Sequence, residues 1–425
     1  VKLRLIIAVL VSGCGVVWPP AAHAQTIEVT PGRIMTDETA TIRVKGAQAN
    51  SHLTIRAELV DGGGHPWAAE AGFVADALGV VDASTQAPVK GSYRTVSAMG
   101  LIWSMRPEAK DVHIYEPPHE LASQTIRFHL LQDGKETASA QLEQIILRDG
   151  VQQVHVDGEL RGVLFLPAGE GKHPGVLVVG GSEGGTPTRR AAWLAGHGYA
   201  AFALCYFRCE GRPQELRDIA LEYFGEALTW MRHRPEIGDA PLAVMGVSRG
   251  GELALQLGSM YPWIKAVVAY VPANVRYPSC CQMPLGASWT WKGQALAWGS
   301  PREKGDAAET MRAGIQVEHM QGPVLLIGGE DDGVWPSVKM VDAVAARLRE
   351  NHFAHEVVVL KYGHAGHRAG MPEIIPAWHN GVPRPGSFQV TDYGGTPEGN
   401  AESSLDAIPK VLEFLERSLG ATSSR

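Results

Sequence analysis

The residues Gly246-Val247-Ser248-Arg249-Gly250 set a serine between two glycines, after the apolar run Leu242 to Met245 and ahead of a helix-like run from Glu252 to Met260. Strand, sharp turn and helix in that order push a serine hydroxyl out at the end of a sheet, and the flanking glycines let strand and helix pass closely. A hydroxyl is a poor nucleophile at neutral pH. It needs a base within hydrogen-bond reach, and the base needs an orienting carboxylate. Both follow at the ends of strand-like runs: Val324 to Ile327 leads into Gly328-Gly329-Glu330-Asp331-Asp332-Gly333, and Glu356 to Tyr362 leads into Gly363-His364-Ala365-Gly366-His367. Loops at the carboxyl ends of parallel strands converge, and the order serine, acid, histidine suits a strand-helix fold. Ser248 is therefore predicted as nucleophile, Asp332 as acid and His367 as base, with Asp331 and His364 as alternative occupants of the last two roles. With 16 histidines in the chain, and aspartate an ordinary turn former, neither partner would mean much alone; their joint order carries the reading.

Acyl transfer also needs backbone N–H groups where negative charge develops on the attacked carbonyl oxygen. Arg249, next after the serine, supplies one. The other is expected on Gly180-Gly181-Ser182-Glu183-Gly184-Gly185, after the apolar run Val176 to Val179, with Gly181 and Ser182 as the donors. No Gly-Lys-Ser/Thr follows these glycines, which argues against a phosphate loop. No metal or organic cofactor is implied, and no His/Cys spacing suits zinc.

The elements that must position these groups occupy the second half. Strand-like runs at Val176 to Val179, Ala200 to Phe207, Leu242 to Met245, Lys265 to Val271, Val324 to Ile327 and Glu356 to Tyr362 alternate with helical patterns at Glu215 to Arg232, Gly251 to Met260, Ser337 to Arg349 and Ala401 to Leu419. That alternation predicts an α/β-hydrolase fold with a mostly parallel sheet, spanning residues 158–421. Short alternating runs such as Leu53 to Leu59, separated by Gly/Pro turns, predict an immunoglobulin-like β-sandwich over residues 25–148. The Gly/Pro-rich stretch from Gly370 to Gly399 reads as a functional or mobile loop. The segment Pro272 to Gln321, with Trp289, Trp291 and Trp298, reads as a lid or acyl pocket or as simple packing.

Length and charge bound the rest. At 425 residues the chain suits two domains, and 38 basic against 45 acidic residues, with no basic block, leave no electrostatic footprint for nucleic acid. Residues 1–24 have the form of a secretory signal peptide, Lys2 and Arg4 preceding an apolar stretch and Ala22-His23-Ala24 a cleavage site. The stretch is short for a stable membrane span. Val11-Ser12-Gly13-Cys14 offers lipoprotein processing at Cys14 as a second option. A periplasmic or secreted location is expected, where Cys205, Cys209, Cys280 and Cys281 are permitted, not obliged, to pair, in any of three ways.

The chain resembles the acyl-CoA thioesterase and bile acid-CoA:amino acid N-acyltransferase family. The resembling residues are Val29-Thr30-Pro31-Gly32, Gly91-Ser92-Tyr93 and Met99 to Met105 in the first half, and Leu221 to Phe224, Gly246 to Leu255, Trp289 to Gly293, Gly329 to Ser337 and Ala365-Gly366-His367 in the second. The resemblance implies Ser248, Asp332 and His367 as the site and a small-molecule acyl thioester as substrate. Conjugating members use cysteine as nucleophile and hydrolysing members serine; Ser248 thus implies hydrolysis, since an oxyester acyl-enzyme is comparatively less prone than a thioester to attack by amines. A carboxylesterase or dienelactone-hydrolase-like enzyme acting on a small oxyester would share every catalytic residue, and an N-acyltransferase is a further alternative.

Overall fold

A computed structural model describes residues 24–280, 283–299, 311–383 and 390–420. The leader read at 1–24, Cys14 included, lies outside them except for Ala24, as does Cys281.

The first half forms two sheets. Thr26–Thr30, Thr41–Lys45 and Val81–Asp82 make a three-stranded sheet; Arg33–Met35, Lys135–Ile145, Gln124–Gln132, His52–Val60, Pro66–Val74 and Lys90–Gly91 make the body of a seven-stranded one, with Arg106–Pro107 paired at its side. Along His52–Val60 every second residue is buried, the period-two pattern of a strand with one face on a core. Ile42, Val44, Ile55, Ala57, Trp67, Phe73 and Phe128 fill that core.

The second half is built on an eight-stranded sheet: β1 (Gln152–Asp157), β2 (Arg161–Leu166), β3 (Gly175–Val179), β4 (Ala200–Cys205), β5 (Leu242–Val247), β6 (Ile264–Tyr270), β7 (Val324–Gly329) and β8 (Val357–Tyr362). Their spatial order is β1-β2-β4-β3-β5-β6-β7-β8. β2 runs antiparallel to both β1 and β4; from β4 onward neighbours are parallel. Helices α1 (Thr188–Gly196), α2 (Glu222–Arg232), α3 (Arg249–Met260), α4 (Ser337–Glu350) and α5 (Pro397–Leu419) supply the crossovers and flanks. Strands β3, β4 and β5 are buried at every position, as a parallel sheet covered on both faces requires.

Two local expectations change. The sheet begins at Gln152, ahead of the expected boundary at 158, because this strand pairs with Arg161–Leu166. The helix expected from Glu215 starts at Glu222; Ile219 and Ala220 pair instead in parallel with Trp289 and Thr290. In the Gly370 to Gly399 stretch, expected as a functional or mobile loop, the described residues His379, Gly394 and Gly395 bridge to Ile114, Asp332 and Ala365.

The halves share a hydrophobic core, which runs from Ile34, Trp67 and Trp103 through Trp193 to Ile374, Ala377 and Phe414. Backbone bonds cross the boundary: Ile374 N–H donates to Thr36 O (2.7 Å), Ala377 N–H to Trp103 O (3.0 Å) and Asn380 N–H to His113 O (2.8 Å). Trp378 lies edge-on to Trp67 at 6.0 Å. Among the described residues no helix is long and apolar enough to cross a membrane, and no group of three His, Cys, Asp or Glu side chains is placed to hold a metal ion.

Candidate active site

Ser248 sits between β5 and α3 with φ 58° and ψ −120°, a conformation costing of order 1–3 kcal/mol for a residue with a Cβ. The backbone is held there by Ser248 N–H donating to Tyr270 O (2.9 Å) and Glu252 N–H to Ser248 O (3.0 Å). The flanking glycines are required sterically: a Cβ at Gly246 would lie 2.0 Å from Gly250 O, and one at Gly250 would lie 2.4 Å from Gly180 O.

The loops after β7 and β8 bring the two partners to this serine. Ser248 Oγ lies 2.8 Å from His367 Nε2. His367 Nδ1 lies 2.9 Å from Asp332 Oδ2 and 3.1 Å from Oδ1. The Asp332 side chain is fully buried and that of His367 nearly so, and Asp332 Oδ1 also accepts the N–H groups of Val334 (2.9 Å) and Trp335 (3.2 Å). A carboxylate fixed in this way accepts a hydrogen bond from Nδ1–H, which leaves Nε2 as a lone-pair acceptor for the serine hydroxyl. The ring is walled by Trp335 and Tyr393, with centroids at 5.4 and 5.7 Å, and His367 N–H donates to Tyr393 O. Asp331 and His364 pair with each other at 3.4 Å on the surface, away from this line of groups.

The loop after β3 differs in detail from expectation. Gly181 N–H donates to Glu183 Oε1 at 3.0 Å, so this expected oxyanion donor is engaged by a carboxylate of its own loop. Arg249 is the first residue of α3, whose N-terminus adds partial positive charge, and Ser182 lies on the loop after β3. A substrate carbonyl using the Gly181 amide must displace Glu183, toward Arg190, whose Nη2 is 3.6 Å from Glu183 Oε1. Glu183→Gln, which weakens the competing acceptor by removing its charge, is expected to raise kcat/KM several-fold in steady-state assays; an unchanged or lowered value would show that the Gly181 amide is not used.

Composition gave no hint of the side-chain network beneath the elbow. The Arg249 guanidinium is buried with Glu252, Nε to Oε2 at 2.9 Å, and donates to Pro278 O (2.7 Å), Tyr277 O (3.0 Å) and Ser288 Oγ (2.7 Å). Glu252 Oε1 accepts Trp289 Nε1–H (2.7 Å) and Oε2 accepts Tyr277 N–H (3.2 Å). Burial pushes the Glu252 carboxyl above the usual range, and Arg249 opposes the shift. Trp289 is thus a packed anchor, tilted against Tyr206 and edge-on to Phe224, and the segment after β6 is bolted to the residue following the nucleophile. Removing one partner of a buried ion pair costs about 3–5 kcal/mol. Glu252→Ala is expected to lower stability by that order in denaturant unfolding, with a smaller loss for Glu252→Gln. A surface groove of about 700 Å³ over Leu160, Trp230, Tyr261 and Trp263 is lined by none of the groups described here.

The strand order, the parallel core and the serine on a strained strand-to-helix turn define an α/β hydrolase. Two family models match the sequence: the N-terminal region of acyl-CoA thioester hydrolase/BAAT over residues 37–158, and the BAAT/acyl-CoA thioester hydrolase C-terminal region over residues 219–286 and 288–421. The chain belongs to the acyl-CoA thioester hydrolase/BAAT family. Similar curated proteins include acyl-coenzyme A thioesterase 6 of Mus musculus, 31% identical over 93% of this chain and 97% of that one, and the mouse peroxisomal succinyl-coenzyme A thioesterase, 28% identical over 95% and 99%. Among solved structures, a dienelactone hydrolase-like promiscuous phosphotriesterase from metagenomic libraries is 18% identical, with a TM-score of 0.38 over 64% of this chain and 98% of that chain.

Proposed function

We propose that the protein hydrolyses an acyl-CoA thioester through an acyl-serine intermediate. The observation that carries this reading is the buried line Ser248 Oγ, His367 Nε2, His367 Nδ1, Asp332 Oδ2, with gaps of 2.8 and 2.9 Å, in a chain of this family. His367 takes the hydroxyl proton as Ser248 Oγ bonds to the thioester carbon. The amides of Arg249 and Ser182, joined by Gly181 when Glu183 moves, hold the oxyanion. Collapse breaks the carbon–sulfur bond, and the imidazolium gives its proton to the leaving thiolate. Water then repeats the sequence on the acyl-serine: His367 takes a water proton, returns it to Ser248 Oγ, and the acid leaves. Asp332 keeps the ring in one tautomer and stabilises its charged form.

The test is release of free thiol from a series of acyl-CoA esters compared with turnover of short p-nitrophenyl esters. Thioester hydrolysis should dominate in kcat/KM, and added glycine or taurine should yield no amide; preference for the small esters would transfer the assignment to an oxyester substrate. The first half is proposed as the immunoglobulin-like domain of the family, residues 25–148, and export as the fate of the chain. Export is supported by the Cys205–Cys209 disulfide, a bond that reducing cytosols disfavour. Cys280 is disulfide-bonded too.

A further inference from the structure

The disulfide closes across the residues that brace the glycine-rich loop. β4 ends at Cys205, and Cys209 bonds back to it, enclosing Tyr206, Phe207 and Arg208. Each of the three holds the loop from Gly180 to Gly185. Tyr206, buried against Phe224, donates its hydroxyl to Gly180 O at 2.7 Å. Phe207 O accepts Gly185 N–H at 3.0 Å. Arg208 Nη1 lies 3.3 Å from Glu183 O and 3.5 Å from Ser182 O, donating to both. The packing is close: a Cβ on Gly184 would sit 2.8 Å from Arg208 Cβ and 3.0 Å from the Phe207 ring. Arg208 itself has φ 54°, a left-handed conformation that an arginine leaves unless something holds it.

We infer that the Cys205–Cys209 disulfide sets the oxyanion loop, through Arg208 as a positioning residue, and that its reduction lowers turnover without dismantling the protein. This rests on the thioesterase reading given above. Oxidised, the five-residue ring keeps Arg208 in its left-handed conformation and its guanidinium over the carbonyls of Ser182 and Glu183. Reduced, the segment relaxes toward ordinary dihedrals, the guanidinium withdraws, and the Ser182 amide loses its aim at the developing oxyanion. Loss of one oxyanion donor outright costs about 10²–10³ in kcat; a loosened one costs less. The reduction is a two-electron step: the two thiols of dithiothreitol give two electrons and two protons to the sulfur–sulfur bond, leaving two cysteine thiols and the cyclic disulfide of the reagent.

The test compares kcat and KM on an acyl-CoA ester for the oxidised protein, the dithiothreitol-treated protein and the Cys205→Ser/Cys209→Ser variant. Because Cys280 is also disulfide-bonded, the variant isolates the bond in question. The expected result is a kcat about tenfold lower in both the treated protein and the variant, KM nearly unchanged, and a variant indifferent to dithiothreitol. Arg208→Ala, which keeps the disulfide, should lower kcat in the same direction and stands in for the double variant if that fails to fold. A merely structural bond would change the melting temperature and leave kcat intact in folded protein, and that outcome overturns the inference. An oxidised protein inactive on every thioester would instead overturn the function on which the inference rests.

Discussion

Ser248→Ala is expected to reduce kcat for thioester hydrolysis by about 10⁴- to 10⁶-fold, with no comparable change in stability. The size follows from what is lost, the atom that bonds to substrate, and not only a stabilising contact. The fold should survive because the bonds that hold residue 248 are made by its backbone, its N–H to Tyr270 O and its O from Glu252 N–H. Alanine also carries the same φ penalty as serine. Single-turnover kinetics with mass analysis of the intact chain gives the check: wild type should gain the mass of one acyl group, and the variant none. A variant that turned over freely, or that acylated elsewhere, would refute the mechanism.

Asp332→Asn is expected to cost about 10⁴ in kcat, nearly as much, for a reason specific to this loop. Oδ1 of Asp332 accepts two backbone N–H groups, from Val334 and Trp335. An asparagine must keep its oxygen there, because turning its NH₂ toward two N–H donors leaves all of them unpaired in a buried place. Its NH₂ then faces His367 Nδ1 as a donor and forces the ring proton onto Nε2, the atom that must accept from Ser248. The variant should bind substrate with little change in KM while losing kcat. If kcat fell only a few-fold, Asp332 would be an anchor for its loop and little more.

The elbow and the strand-end residues were readable because each is written locally: apolar run, glycines, then a reactive side chain. Six of the eight strands of the central sheet show as apolar runs for the same reason. β1 did not, since Gln152, Gln153, His155 and Asp157 are all exposed on an edge strand that buries no residue fully, which reads as a junction between domains. The start of α2 was misplaced because Ile219 and Ala220 are drawn into a pairing with Trp289 and Thr290, a partner distant along the chain. The same limit hid the Arg249–Glu252–Trp289 network and the engagement of the Gly181 amide by Glu183. Spacing of three on a helix hints at the first pair, yet nothing in the order of residues says that the pair points inward. Tyr393 as a wall of the imidazole is likewise legible only once Gly394 and Gly395 are seen meeting the loops of Asp332 and His367.

The core shared between the halves makes each half depend on the other for cover. Residues 374 to 380, just beyond His367, rest on Thr36, Trp67, Trp103 and His113. Cut apart, each half would offer water a broad greasy face, and such faces drive clumping. Either half produced alone is therefore expected to aggregate, and a change at Trp67, which lies against Trp378, bears on the segment just beyond His367.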